Sequence, residues 1–478
     1  MPASYLHGVE TIESIVGGRS INIVKSAVIG IVGTAPLYTV ESANQSTNAM
    51  KLLLNDRDAA KYGGKRKTGW TLPAALQSIY AQGSCQVIMI NVFDPTTHKT
   101  AILAESKTFA NNIITLAHEG VSSVVVKSGE TTYVVNDDYT VDAENGIITR
   151  VSTGDIGATA TVTVDYSYQD PTKVDAADII GTVDENGNRT GLKLFQEAYS
   201  KFGFKPKILV TPGFEATEVR TELETLAGKL RAICAVTAPI GTTVQGAIEG
   251  RGADGDINFY TSSKRCKLLF PHLKAYDSVS NAYINESYSA YWAGCMARQD
   301  IEKGYWWSES NRQIQGIVGV ELDLTAEIND PDSEVNALNE AGIMTVFNSF
   351  GTGFRTWGNR SASFPSYTAI DNFTSVRRTA DVIEESIEYY SLQHMDAPIN
   401  DALIDDILQS VNGFLKTQIQ RGSLIGGSAW YDPANNDKTE LANGHLTINY
   451  KFLPPPPLER LTYEAAIDIN LFRQLQAA

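Results

Sequence analysis

The sequence describes an α/β protein: an α/β core with a mainly parallel sheet, an inserted small antiparallel β module, and an α+β C-terminal domain, with extended N- and C-terminal arms. Three observations carry that reading. Short, continuously apolar segments at residues 27–32, 86–93, 207–211, 232–236 and 267–270 alternate with helix-like stretches, as strands buried on both faces of a sheet do. Between residues 121 and 169 the texture changes to alternating Thr, Val, Tyr and Ile set between Asn, Asp and Gly turns, which marks antiparallel hairpins. The chain closes on Pro454-Pro455-Pro456-Pro457, a stiff spacer, followed by alternating apolar and polar residues.

Taken in order, residues 1–26 form the N-terminal arm, where Ser20, Ile21, Asn22 and Ile23 alternate behind a Gly17-Gly18 hinge. The core is discontinuous, 27–120 and 170–350. Its helices fall near 48–60, 72–82, 190–202 and 215–231, with a long one over 279–301 and then a loop-rich region holding Trp306, Trp307 and Gly316. The inserted module occupies 121–169; its Gly- and Asn-rich boundaries favour a separable unit hung on the outside of the core over extra edge strands of the main sheet. The C-terminal domain, 351–453, reads as two helices over 372–394 and 400–421, broken near Pro398, and a last strand over 445–453.

The C-terminal arm, 454–478, supports two readings. Leu461, Tyr463, Ala465, Ile467, Ile469 and Leu471 share one face of an extended chain, with Thr462, Glu464, Asp468 and Asn470 on the other. Leu458, Leu461, Ala465, Ile469 and Phe472 also lie at helical spacing. Periodicity alone leaves a strand and a docked helix equally open.

At 478 residues the chain is long enough for several domains. Lys+Arg 39 against Asp+Glu 55 gives a net charge of −16, which opposes attraction to nucleic acid and to anionic membrane. Cys85, Cys234, Cys266 and Cys295 are widely spread with no Cys-x-x-Cys, so neither disulfides nor structural zinc are expected. The N-terminal stretch lacks a signal-peptide pattern and no apolar run has bilayer-spanning length, which points to the cytoplasm.

A search for chemistry finds no catalytic, cofactor-binding or metal set. Gly63-Gly64-Lys65 and Gly228-Lys229 lack the rest of a phosphate loop, and Ser428 in GGSAW lacks the second glycine of a nucleophile elbow. The six histidines, at 7, 98, 118, 272, 394 and 445, are far apart in sequence. Asp254 and Asp256 read as a turn rather than a cation site, and Glu384-Glu385 and Asp405-Asp406 as solvated helix faces. In the turn at 356–361, Trp357 and Arg360 stand close together as a core anchor or a partner contact.

These segments together resemble the tail sheath proteins of contractile bacteriophages and related contractile injection particles. The resemblance spans most of the chain: Tyr5-Leu6-His7-Gly8-Val9 with Gly18-Arg19-Ser20-Ile21, AVIGIVGTAP at 27–36, KILVTPGF at 207–214, NEAGIMTV at 339–346, TWGNRS at 356–361, SVRRTADVIEESI at 375–387 and LPPPPLERLTYEAAIDIN at 453–470. One departure is Ser308-Glu309-Ser310-Asn311, where the family more often has proline before Ser-Asn.

The resemblance implies a structural, non-enzymatic subunit without cofactor. Such a subunit would polymerise as sixfold rings stacked helically around an inner tail tube protein, meet baseplate and tail terminator proteins, and contract to drive the tube through the host envelope during DNA delivery. Neither direct nucleic acid contact nor membrane insertion is implied, and the place is the virion, after assembly in the host bacterial cytoplasm. The arms would add strands to neighbouring subunits through Ile21, Ile23, Leu461, Tyr463, Ile467, Ile469 and Leu471. Trp357, Arg360, Arg377 and Arg378 are candidate anchors of the C-terminal domain. The alternatives are the sheath of a phage-derived bacteriocin and, more remotely, a cytoplasmic α/β enzyme. Against the enzyme, the strand ends carry Thr34-Ala35-Pro36, Thr211-Pro212-Gly213 and Thr237-Ala238-Pro239, turn residues rather than titratable ones.

Overall fold

The computed structural model describes residues 21–348 and 351–476. Residues 5–9 and 17–20, and with them the proposed Gly17-Gly18 hinge and His7, lie outside the described residues. The apolar segments form an eight-stranded sheet from β1 (Val28–Gly33), β2 (Met50–Leu53), β3 (Gln86–Asn91), β4 (Ile208–Val210), β5 (Ile233–Thr237), β6 (Cys266–Leu269), β7 (Ile343–Phe347) and β8 (Arg355–Trp357). Their order is β8-β7-β6-β5-β4-β1-β3-β2. Every neighbour from β7 to β3 runs parallel, and the edge strands β8 and β2 run antiparallel.

Alternation along each strand feeds two cores. From β1, Val28 and Val32 pack with Phe195 and with Val219, Leu223 and Leu226 of α3 (Thr217–Leu230), after the earlier helices α1 (Asp56–Gly63) and α2 (Thr71–Gln82). Ile29 and Ile31 face the other way, against α2 and against Tyr288, Trp292 and Met296 of α4 (Tyr288–Glu302). Each such side chain contributes about 1.5–3 kcal/mol on burial, so these two layers carry most of the stability. Helices α2 and α4 approach closely because Gly294 leaves room: a Cβ there would lie 2.7 Å from the Ile79 carbonyl oxygen.

Two expected helices are corrected. Residues 48–60 hold β2, paired antiparallel to β3, and only then α1, whose first turn is capped by Asn55 accepting from Asp58 N–H at 3.1 Å. Over 279–301, the chain turns at Asn281 (φ 52°), forms the strand Ala282–Glu286 against Leu273–Asp277, and enters α4 only after the N-cap Ser287.

The inserted β structure also begins earlier than residue 121. Its sheets join Lys99–Thr108, Thr161–Gln169, Val121–Ser128 and Thr131–Thr132 in one, and Ile113–Thr115, Ile147–Arg150 and Tyr139–Asp142 in another. They enclose a separate core of Phe109, Ile114, Val126, Tyr139, Ile148 and Val164. Contact with the α/β body includes the ion pairs Lys65–Glu144 (2.6 Å) and Lys67–Glu119 (2.5 Å). The four cysteines are buried and unbonded.

The C-terminal unit consists of α5 (Thr374–Ser391), α6 (Asp401–Arg421) and an antiparallel hairpin, β9 (Gly426–Tyr431) and β10 (Ile448–Leu453). Asn400 caps α6 by accepting from Leu403 N–H at 2.9 Å, and Gly422 ends it at φ 82°.

Candidate functional site: the C-terminal unit and its two arms

The helices α5 and α6 lay Ile383, Ile387, Val411, Phe414 and Leu415 under the hairpin, whose Ala429 completes a small apolar core. The N-terminal arm enters this core. Ile21 is buried in it and Ile23 packs at its rim. Segment 21–27 carries no strand. Thus Ile21 and Ile23 pack within their own chain here, and the expected arm strand does not form over 21–27. Val24 N–H donates to Ser386 Oγ (3.2 Å), and the Ser26 carbonyl accepts from Arg378 Nη2 (3.3 Å), fixing the arm's root on α5.

Arg378 itself is buried and makes a two-point pair with Asp300 at the end of α4, Nη1–Oδ1 at 2.7 Å and Nη2–Oδ2 at 2.5 Å. Similar pairs dock the rest of α5 on the sheet: Arg265 with both oxygens of Asp381 (2.6 and 2.7 Å) and Lys207 with Glu385. The expectation of a solvated Glu384-Glu385 face is therefore corrected for Glu385, which is buried against Lys207. Burial lowers the Lys207 pKa, with Glu385 opposing the shift. A cavity of about 10 Å³ among Ser26, Lys207, Arg378 and Asp381 has room for about one water. Asp405 and Asp406 are exposed on α6.

The other anchors separate into two kinds. Trp357, half-buried in β8, stacks on Phe347 with ring centroids 4.4 Å apart, and Arg377 pairs along its own helix with Asp381 (2.9 Å) and Glu384 (3.2 Å). Arg360 reaches the C-terminal arm. Its guanidinium lies between Phe364 and Phe373, 4.3 and 4.2 Å from their centroids, and engages Glu459 through Nε (2.9 Å) and Nη2.

Beyond Glu459 the arm leaves the body. Residues 460–468 carry no helix or strand, and a short 3-10 helix, Ile469–Gln476, follows. Leu461, Tyr463, Ile467, Ile469 and Leu471 are all exposed, Tyr463 at 84% and Ile467 at 98%. Neither the period-two strand nor a docked helix forms within the single chain.

Glu459 and Asp300 are not legible as site residues, because their partners Arg360 and Arg378 lie 99 and 78 residues away in sequence; only Glu459 carries a signal, its place two residues behind the proline run. The departure at 308–311 has a local counterpart: Glu309 is buried and pairs with buried Lys267 at 2.8 Å. Asp254 and Asp256 are exposed in a turn, and among the described residues no group of three His, Cys, Asp or Glu is placed to hold a metal ion.

An α/β body with a two-stranded terminal hairpin and an apolar C-terminal arm left in solvent is the architecture of a structural subunit with an extended arm. The chain belongs to the phage tail sheath protein family. The family's central domain matches residues 187–362 and its C-terminal domain residues 372–468, while a model described only as a protein of unknown function matches 94–178. The tail sheath protein of Burkholderia phage BcepMu is 52% identical over 474 residues, covering 98% of both chains. That of Escherichia phage P2 is 28% identical over 465 residues, covering 97% of this chain and 96% of its own. In fold, the chain is similar to the helical sheath of the anti-feeding prophage in its contracted state (TM-score 0.61, 14% identity, 98% and 100% of the chains). It is also similar to the PVC sheath of an extracellular contractile injection system, contracted as well (TM-score 0.58, 14% identity, 98% and 99%).

Proposed function

We propose that this chain is the building block of a contractile tail sheath in which each subunit holds its neighbours by strand addition. Rings, sixfold and helically stacked, surround an inner tail tube, and their contraction drives the tube through the host envelope. In this reading 1–26 and 454–478 are linking arms, the antiparallel insertion faces outward, and the C-terminal unit, 351–453, faces the tube. Baseplate and terminator proteins bound the lattice, which belongs to the virion and is assembled in the host cytoplasm.

The observation that carries the reading is a mismatch within one chain. Among the described residues, the two-stranded sheet is an incomplete unit with main-chain groups free at its edge, and the arm exposes five large apolar residues that no described residue covers. Each supplies what the other lacks. Main-chain hydrogen bonds contribute roughly 0.5–1.5 kcal/mol each, so one arm is a modest link and a closed lattice of them is a strong mesh. Connectors between the compact bodies and the arm strands let the bodies rotate while the strands stay paired.

Electron microscopy of the purified full-length protein at high concentration tests this. Striated tubes are the expected result, and discrete small oligomers at every concentration would contradict it.

A further inference from the structure

The terminal hairpin has two edges, and they are not alike. On β9, one side chain takes both main-chain polar groups of Ala429: its N–H donates to Asn412 Oδ1 at 2.8 Å, and its carbonyl accepts from Asn412 Nδ2 at 2.9 Å. Asn412 lies on α6, and its carboxamide offers the donor and acceptor that a neighbouring strand would offer. Both groups of Ala429 therefore point away from β10, and the middle of this edge is closed by the helix. On β10, among the described residues, no side chain is hydrogen-bonded to the main chain of Ile448–Leu453; Asn436 holds Thr447, just ahead of the strand, through 2.7 and 2.9 Å bonds.

The side chains of β10 also suit the arm. Ile448, Tyr450 and Phe452 pack on the apolar core of α5 and α6, while Lys451, in register with Ser428, faces away. An arm beside β10 with its apolar face continuing that core places Glu464 and Asp468 on the face of Lys451, where an opposite-charge pair contributes roughly 0.2–1 kcal/mol. Beside β9 the same face presents Ser428 and Trp430, with no cation of its own.

We propose that β10 is the strand-accepting edge, that the C-terminal arm of a second copy enters there, and that Asn412 closes β9 against it. This rests on the reading of the arm as an intersubunit strand. Asn412 is then a positioning residue: it directs the arriving strand to one edge.

The test uses disulfide trapping in full-length protein, whose native cysteines are buried. One chain carries Lys451→Cys or Ser428→Cys; the other carries Thr462→Cys, Glu464→Cys, Ala466→Cys or Asp468→Cys. Mixed chains are assembled and oxidised. Neighbouring strands lie about 4.8 Å apart and the next one about twice that, while a disulfide needs Cα atoms within roughly 7 Å, so only the adjacent strand is trapped. The expected result is a covalent dimer from Lys451→Cys with at least one arm position and none from Ser428→Cys; adding Asn412→Ala makes dimers from Ser428→Cys appear. Dimers from Ser428→Cys alone would overturn the edge assignment and leave the arm as a link. Tubes that form with dimers from neither position would overturn both. If Ser428→Cys stays silent beside Asn412→Ala, the role given to Asn412 is wrong.

Discussion

Arg360 and Glu459, 99 residues apart, meet at the root of the C-terminal arm, where a guanidinium held between two phenylalanine rings grips the carboxylate through two of its nitrogens. The pair joins two segments that the sequence singles out separately, TWGNRS at 356–361 and the residues behind the proline run. It sets where the arm becomes free.

Glu459→Gln is therefore expected to loosen the root without touching the body. The pair is partly exposed, so about 0.2–1 kcal/mol is at stake, which corresponds to an increase of roughly one-and-a-half- to fivefold in local opening. Trypsin cleavage after Arg460 measures it; melting of the whole protein should not move. A cleavage rate equal to that of the parent would show that Glu459 does not hold the arm.

Arg378 and Asp300 are a different case, because both are buried. Asp300→Ala leaves an uncompensated guanidinium and is expected to destabilise by about 3–5 kcal/mol in denaturant unfolding. Replacing both, as Arg378→Met with Asp300→Leu, should recover most of that loss. A double variant as unstable as the single one would argue that the bond from Arg378 to the Ser26 carbonyl matters more than the pair.

Glu215 gives the fold a pH dependence. Its carboxyl group is enclosed, accepting from Ser289 Oγ (2.5 Å), Ser287 Oγ (2.8 Å) and Thr237 N–H (3.0 Å), although the residue as a whole is only half-buried. Burial pushes its pKa from the ordinary 4.5 up to about 7, against those hydrogen bonds. A raised carboxyl pKa favours the folded state at low pH. Relative to Glu215→Gln, the parent should thus lose roughly 3 kcal/mol as pH rises from 4.5 through 7, and nothing further above that. Parallel unfolding curves for parent and variant across this range would refute the assignment.

The inserted β structure should be removable. Lys99 and Gln169 are paired directly in its sheet, so the two ends of the insertion stand side by side. Replacing residues 99–169 with a short Gly-Ser bridge is expected to leave the α/β body folded and able to form tubes, as seen by circular dichroism and electron microscopy. A folded deletion variant that forms no tubes would place the insertion within the lattice contacts.

Most of the main sheet is legible in the sequence because its strands are buried on both faces: AVIGIVG at 27–33 and ILV at 208–210 contain no polar residue that could mislead. The strand Lys99–Thr108 is not, since KTAILAESKT is built of good helix formers and lies largely exposed. The strand Met50–Leu53 hides in the same way, as MKLLL followed by NDRDAA reads as one helix until Asn55 is recognised as a cap. At the site, the alternation of the arm is visible at once, while the partners that fix its root are not, because Arg360 and Glu459 or Arg378 and Asp300 are joined only by the fold.

The linking role of the arm is tested most directly by deleting residues 462–478 and imaging the purified protein by electron microscopy. The truncated chain keeps all four apolar cores and the Arg360–Glu459 contact, so it is expected to be folded, soluble and monomeric, and to form no tubes at concentrations where the full chain does. Normal striated tubes from the truncated chain would contradict the account.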